Sequence, residues 1–446
     1  MHLLKALPRF RQAQQALAQF EQREAWTAGD VRDFQLARLN QVWAHARKSV
    51  PHYRDLAVQF LLPEQFCSLS EFIETVPVLS KEDVRDQPKR FLSEAPQPGR
   101  WHRTGGSTGT PMSVYWSHQA HREMLRSKYR CEQAHGLDVF DRKVFLWGHS
   151  GSFAPGLKGF AQRISRPIQD RLRNRLRVSA YHLGHHDLRK HLRAIERFNP
   201  LSLYGYSSAI ELLARAAAED SVVLPSLKVA ILTAEPADCG MLKRVATDLG
   251  TRAVIEYGSV ECGLIGYLMP DKTIRSRDDV CFVETLPSKS IPDSYDYVVT
   301  VLNNPSFPLL RYRIEDSTSR CRQQPDVGFG ILADVRGRSN DVLLSKSGHV
   351  IHSLAVKHIL EHSRDIRRFR AMQRGDGGLT VLIESEQALS ASLLVTFQSR
   401  LQQLLEGFPV EIQVVDRIPS NLAGKHRWIT SEMRKSQLGN ARCQSP

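Results

Sequence analysis

Long hydrophobic runs are missing from this chain. No apolar stretch approaches the roughly 18 residues that span a bilayer, and the opening MHLLKALPRFRQAQQ lacks the apolar core of a secretory signal. No stable membrane insertion is expected, and a cytoplasmic location is. Cysteine is sparse: Cys67, Cys131, Cys239, Cys262, Cys281, Cys321 and Cys443 form no CxxC pair and no regular close spacing. That excludes a secreted disulfide scaffold, and the residues read as free thiols. Internal repeats and low-complexity segments are absent too. Acidic residues are outnumbered: 61 Lys and Arg against 47 Asp and Glu leave a formal charge of +14, which suits nucleic acid, an anionic membrane or acidic substrates alike. No Cys/His finger, aromatic RNA-binding signature or Lys-rich tail accompanies the charge, so nucleic acid is not an expected partner.

What is present is an ordinary globular composition, 446 residues with 41% hydrophobic and 24% charged, long enough for a large α/β domain and a smaller companion. Up to about residue 100, Leu36, Leu39, Val42, Trp43 and Ala46 recur at helical spacing, with breaks at Pro51, Pro63, Pro77 and Pro88. From about 101 to 338, the β-rich runs VFLWG (144–148), SLYGY (202–206), KVAILTAE (228–235) and AVIEYG (253–258) alternate with helical stretches. That rhythm predicts a largely parallel sheet covered on both faces. YDYVVTVLNN (295–304), LLRYRIED (309–316) and FGILADVRGR (329–338) follow with little helix between them and predict an antiparallel β subdomain. Beyond 338, DVLLSKSGHVI, a helix near 353–363, GLTVLIES, a helix near 388–406 and VEIQVVDRI read as an α+β unit. The boundary is placed at 338, giving domains 1–338 and 339–446. Residues 157–178 form a basic stripe at helical spacing, with Leu157, Phe160, Ile164, Ile168, Leu172 and Leu176 on one face. Such a helix either packs on the core or docks on an acidic carrier protein or anionic surface.

The chemistry concentrates in RTGGSTGTP (103–111). Gly105, Gly106 and Gly109 let backbone N–H groups approach an anion, and Thr104, Ser107, Thr108 and Thr110 add hydroxyl donors. The GKS/T ending of a Walker loop is missing. Downstream, in order, come EYGSVE (256–261), RYRIED (311–316), RGRSND (336–341) and AGK (423–425).

With these motifs the sequence resembles the adenylate-forming enzymes, in their phenylacetate-CoA ligase-like and CapK-like branch. SVPHYRDLA (49–57) and VPVLSKEDVR (76–85) are similar to that branch's N-terminal segments. The resemblance implies an α/β fold, with a large N-terminal adenylate-forming domain of mixed sheets and helices and a small mobile α+β C-terminal lid. It implies that residues 104–111 grip the β and γ phosphates of ATP. Tyr257 and Gly258 would meet the adenine, with Ser259 beside them. Glu261 would hold Mg²⁺, a cation that prefers hard oxygen ligands. Asp316 would accept the ribose hydroxyls and Arg338 would lie at ribose and phosphate. Lys425 would contact the acyl carboxylate and α-phosphate, with Asn340 and Asp341 as hinge. Trp147, His149, Tyr204 and Tyr206 would lie at the acyl pocket, where aromatic walls suit a flat or amphipathic acid.

The chain departs from the family pattern at three places: Val260 replaces the usual hydroxyl residue, Ile314-Glu315 replaces Thr-Gly before Asp316, and Asn340 replaces the hinge Asp. Cys262, Cys281 and Cys321 fall where some relatives carry a zinc cluster, but its paired cysteines and histidine are absent, so they read as buried thiols. The resulting expectation is ATP- and Mg²⁺-dependent activation of a carboxylic acid with release of pyrophosphate. The acyl group then passes to CoA, an amine, a hydroxyl or a carrier-protein thiol. An adenylylating transferase and a non-catalytic scaffold are the alternatives.

Overall fold

The structure, a computed structural model, describes residues 23–104, 112–147, 170–335, 342–418 and 429–433, apart from 24, 172, 181–184, 289–290, 292, 348–349, 353–355, 357–358, 361–365 and 386. They fall into two compact units. One is Met1–Leu286, Tyr295–Ile314 and Thr318–Val335; the other is Pro287–Ser294, Glu315–Ser317 and Arg336–Pro446.

In the first unit, α1 (Ala28–Ser49) begins at a capping box in which Thr27 and Asp30 satisfy each other's backbone N–H groups. Its buried face is Leu39, Val42, Trp43 and Ala46, the periodicity seen in the sequence. Pro51 then opens α2 (Pro51–Gln59) in the first turn, where its missing N–H costs nothing. Helices α3 (Leu69–Thr75) and α4 (Lys81–Asp86) follow, each with a serine N-cap. Trp43, Tyr53, Phe66, Phe72 and Phe91 from this region join Tyr297, Val299 and Tyr312 in one core cluster. Arg311 locks that junction: its guanidinium faces Glu284 at 2.8 Å and donates to the carbonyls of Ile73 and Val76.

A ribbon of β1 (Gly99–Arg103) and β2 (Ser113–Ser117) leads into α5 (His118–Ala134). Then come β3 (Lys143–Trp147), β4 (Arg175–Ser179), α6 (His185–Phe198), β5 (Ser202–Tyr206), α7 (Ser207–Glu219), β6 (Val229–Thr233), α8 (Cys239–Leu249), β7 (Arg252–Ser259), β8 (Gly263–Leu268) and β9 (Ile274–Ser276). With β13 (Ile331–Leu332) the strands form one sheet in the order β13-β9-β8-β7-β6-β5-β3-β4. The strands from β7 to β4 run parallel, and β8, β9 and β13 continue antiparallel. Helices α6, α7 and α8 cover one face through Leu192, Ile210 and Val245, and α5 covers the other through Cys131. A fully buried strand such as β6 therefore reads as an apolar run, Val229 to Leu232, closed by Thr233.

Two expectations are corrected here. β10 (Cys281–Pro287), β11 (Tyr295–Val301) and β12 (Tyr312–Thr318) form a separate three-stranded sheet. Among the described residues, the third run of the supposed β subdomain contributes the strand Ile331–Leu332, which pairs with β9 in the large sheet instead. The basic stripe fails as one helix at its C-terminal end, because Arg175, Leu176 and Arg177 lie in edge strand β4. The i, i+4 spacing there is overridden by pairing with β3; its part from 157 to 169 lies outside the described residues.

The second unit holds a hairpin of β14 (Val342–Leu344) and β15 (Val350–His352). A further sheet of β16 (Ile366–Gln373), β17 (Leu379–Ser385), β18 (Val410–Val415) and β19 (Ile429–Ser431) has the order β18-β17-β16-β19. Helix α9 (Ala391–Leu404) contributes Phe397 and Leu401 to the core. Buried Gln373 ties the hairpin to the sheet, donating to the Leu344 carbonyl at 2.7 Å and accepting from Ser431 Oγ at 2.9 Å. Among the described residues no helix is long and apolar enough to cross a membrane.

Candidate active site

In an open parallel sheet the carboxyl ends of the strands leave a crevice where loops diverge, and ligands bind there. Trp147 ends β3, Tyr206 ends β5 and Thr233 ends β6, while Tyr257, Gly258 and Ser259 end β7. Immediately after β6, Ala234 has φ +65°, a left-handed conformation that costs a non-glycine residue energy. Glu235 then accepts from Ser208 N at 2.9 Å and takes the Ser207 hydroxyl on its carbonyl at 3.0 Å, closing the N-terminus of α7. The sequence gives no glycine or motif to signal this turn.

The Tyr257–Glu261 motif forms the tip of the β7–β8 hairpin, next to a register shift at Tyr257/Gly258. A Cβ on Gly258 would lie 2.4 Å from the Gly263 carbonyl, and one on Gly263, whose φ is +73°, would lie 2.8 Å from Met124 Sδ. The glycine after Tyr257 is therefore required by the hairpin itself. Ser259 Oγ accepts the Cys262 N–H at 3.0 Å, which leaves its own proton available to donate. Val260 is 38% exposed and Glu261 only 8%. Tyr257 is buried in the core cluster, its ring 5.7 Å from that of Tyr297.

The glycine-rich segment is tied to this tip. Thr104 N donates to the Met112 carbonyl at 2.9 Å and Met112 N donates to Thr104 Oγ1 at 2.9 Å, so the two residues close the neck of residues 105–111. Four residues on, in β2, Trp116 donates its Nε1–H to the Val260 carbonyl at 2.9 Å.

On the α5 side of the sheet, Trp147 stacks on Tyr204 at 5.9 Å and 12° and meets Tyr206 at 4.4 Å. Tyr204 donates its hydroxyl to Glu256 Oε1 at 2.7 Å, and Lys128 Nζ lies 2.6 Å from Glu256 Oε2. Desolvation pushes the Tyr204 phenol up, and adjacent Glu256 adds to it. For Lys128 desolvation works downward, but Glu256, Tyr204 and Glu132 together hold the ammonium above its ordinary value. Lys128 was not legible as part of a site, and Glu256, though inside the EYGSVE motif, was given no role.

Of the expected site residues, Thr104, Trp147, Tyr204, Tyr206, Tyr257, Gly258, Ser259 and Glu261 lie in the first unit, and among them Trp147 touches Tyr204 and Tyr206. Asp316, half-buried in β12, belongs to the second unit. Gly105, Gly106, Ser107, Thr108, Gly109, Thr110, His149, Arg338, Asn340, Asp341 and Lys425 lie outside the described residues. Cys262 and Cys281 are buried as expected, and burial raises the Cys281 thiol well above its usual range. Cys321 is exposed, which corrects its reading as a buried thiol: it sits in a short surface turn after β12.

No protein-family model matches the chain. It is 22% identical to protein CapK of Staphylococcus aureus over 417 residues, 91% of this chain and 90% of CapK. To the phenylacetate-coenzyme A ligase of Escherichia coli K12 it is 25% identical over 402 residues, 85% of this chain and 87% of the ligase. The crystal structure of 2-hydroxyisobutyryl-CoA ligase in the postadenylation state with 2-HIB-AMP matches with TM-score 0.73 at 19% identity, covering 95% of this chain and 94% of that one. The chain is a homologue of CapK and the phenylacetate-CoA ligases, with the fold of the adenylate-forming ligases.

In enzymes of this fold the question for Mg²⁺ is whether a hard oxygen donor is free. Among the described residues no group of three His, Cys, Asp or Glu could hold a metal. Glu261 fits a sparser site: it is largely buried and makes no hydrogen bond or ion pair among the described residues. One such carboxylate suffices when phosphate oxygens and water complete the shell.

Proposed function

We propose that the chain activates a carboxylic acid with ATP, forming an acyl-adenylate and releasing pyrophosphate, and then transfers the acyl group to a second nucleophile. The observation that carries this reading is the bond from Trp116 to Val260, which couples the neck of a phosphate-type loop to a hairpin tip bearing a buried carboxylate with no hydrogen bond or ion pair among the described residues.

In this reading the backbone N–H groups of Gly105, Gly106 and Gly109 and the hydroxyls of Ser107, Thr108 and Thr110 hold the β and γ phosphates. Thr104 acts differently from the others, because its hydroxyl oxygen closes the neck of the loop. Tyr257 and Gly258 border the adenine, Asp316 accepts the ribose hydroxyls and Arg338 contacts ribose and phosphate. Mg²⁺ held by Glu261 would supply Lewis-acid neutralisation of the departing pyrophosphate. Lys425 stabilises the charge that develops as the substrate carboxylate attacks the α-phosphate in line. Ser259 replaces the donor lost at Val260, since its oxygen is fixed by the Cys262 N–H and its proton is not committed by that bond. Rotation near Asn340 and Asp341 separates activation from transfer, with the division of the chain at 338.

Trp147, Tyr206 and His149 border the acyl group in this reading, with Tyr204 beneath Trp147. Coenzyme A is the favoured second nucleophile, because the E. coli relative and the matching solved structure are CoA ligases. An amine, a hydroxyl or a carrier thiol would serve the same chemistry.

Pyrophosphate release measured across a panel of carboxylic acids, with and without CoA, tests the reading. Acid-dependent release supports it. AMP left on an acceptor would indicate an adenylylating transferase, and no ATP binding would indicate a scaffold.

A further inference from the structure

We infer that Lys128 is a positioning residue of the acyl pocket, acting through Glu256 to fix the Tyr204 ring on which Trp147 stacks. The inference rests on the reading of the strand ends as the acyl site.

Helix α5 carries Met124, Lys128 and Glu132 at intervals of four, which puts all three on one helix face. From there Lys128 grips Tyr204 twice. Its Nζ lies 3.6 Å from the centre of the Tyr204 ring, and it pairs at 2.6 Å with the carboxylate that accepts the Tyr204 hydroxyl at 2.7 Å. The ring is thus held on its face by a cation and at its tip by a charge-assisted hydrogen bond. Trp147 stacks on Tyr204, and Phe145 meets the same ring edge-on at 5.3 Å. With these contacts fixed, the Trp147 indole is left a narrow range of orientations at the end of β3.

The lysine and glutamate side chains are only 12% and 10% exposed. Removing one partner leaves the other charge buried and uncompensated, and Glu256 would then draw in water or shift. Because Glu256 directly precedes Tyr257 in β7, an ordinary stabilising pair would disturb nucleotide and acid alike. A positioning role on the Tyr204 side predicts asymmetry: the wall that meets the acid loosens, while the hairpin tip stays anchored by Trp116.

Three variants test this: Lys128→Met, Tyr204→Phe, which removes only the hydroxyl, and Trp147→Phe as a spectroscopic reference. Near-UV circular dichroism should show Lys128→Met and Tyr204→Phe losing the band that Trp147→Phe also loses, with the far-UV spectrum unchanged. In pyrophosphate-release assays with benzoic, phenylacetic and short hydroxy acids, KM for the best acid should rise about tenfold in Lys128→Met and less in Tyr204→Phe. KM for ATP should stay within about twofold. A folded variant with wild-type acid KM, or an equal rise for acid and ATP, overturns the inference. If Lys128→Met does not fold, Tyr204→Phe decides by the same criteria. If the wild type turns over no acid, the functional reading fails, and the near-UV comparison alone decides whether Lys128 orders the stack.

Discussion

The indole N–H of Trp116 and the carbonyl of Val260 meet at 2.9 Å across 144 residues of sequence. One residue sits in the strand that leaves the glycine-rich loop, and the other at the tip that carries Glu261. One hydrogen bond therefore joins the strand that leaves the loop to the residue next to the carboxylate. Replacing Trp116 by Phe keeps an aromatic ring in the core and removes the donor. We expect a loss of about 1 kcal/mol in stability, read as a modest fall in Tm, because one hydrogen bond is lost. KM for ATP should rise about fivefold or more while KM for the acid changes little. Steady-state pyrophosphate release with each substrate varied in turn checks this.

Val260 projects its isopropyl group at 38% exposure, so a hydroxyl there displaces no core packing. Val260→Thr should change stability by no more than about 0.5 kcal/mol. The adenylation rate should hold or rise, since a second donor joins Ser259. A large fall would show that the valine packs against substrate, and single-turnover adenylation measures it.

Glu261→Gln removes the charge from the buried carboxylate but keeps its shape. The Mg²⁺ concentration giving half-maximal turnover should rise about tenfold, with Tm unchanged or slightly raised, because no cation partner is lost among the described residues. Turnover titrated against Mg²⁺ at fixed ATP is the measurement.

His52 gives a pH signature outside the site. Its ring packs on Phe91 at 4.2 Å, and burial, followed by nearby Arg90, lowers its pKa to about 4 from 6.5. The folded state thus resists protonation while the unfolded chain accepts it. Stability from this residue is fully present above pH 6.5 and is lost as pH falls toward about 4. The shift caps the loss at roughly 3 to 4 kcal/mol, and solvent screening of a half-buried ring reduces it further. His52→Phe should flatten the difference in Tm between pH 7 and pH 4.5, as thermal denaturation at the two values will show.

Much of the sheet was legible because its parallel strands are buried on both faces: VAIL in β6 is an apolar run ending at Thr233, and β3 and β5 are largely apolar. Strand β16 was not legible, because the arginines in IRRFRAMQ mask its alternation. Strand β4 was hidden by a helical spacing that pairing with β3 overrides. Within the site, Tyr257 to Glu261 form a local hairpin and so could be found as a motif. Trp116 and Lys128 act through partners more than a hundred residues away, and a hydrogen bond or ion pair at that range leaves no mark on local spacing. Ala234 was equally silent, since strain is a property of φ rather than of residue type.

The central claim is that a substrate carboxylate oxygen attacks the α-phosphate of ATP. Supplying the best acid with ¹⁸O in its carboxylate and analysing the products by mass spectrometry tests it most directly. If an acyl-adenylate forms and its acyl carbon is then attacked, the released AMP keeps the bridging oxygen and gains one ¹⁸O, with none in pyrophosphate. AMP without the label, or label in inorganic phosphate, would contradict the account.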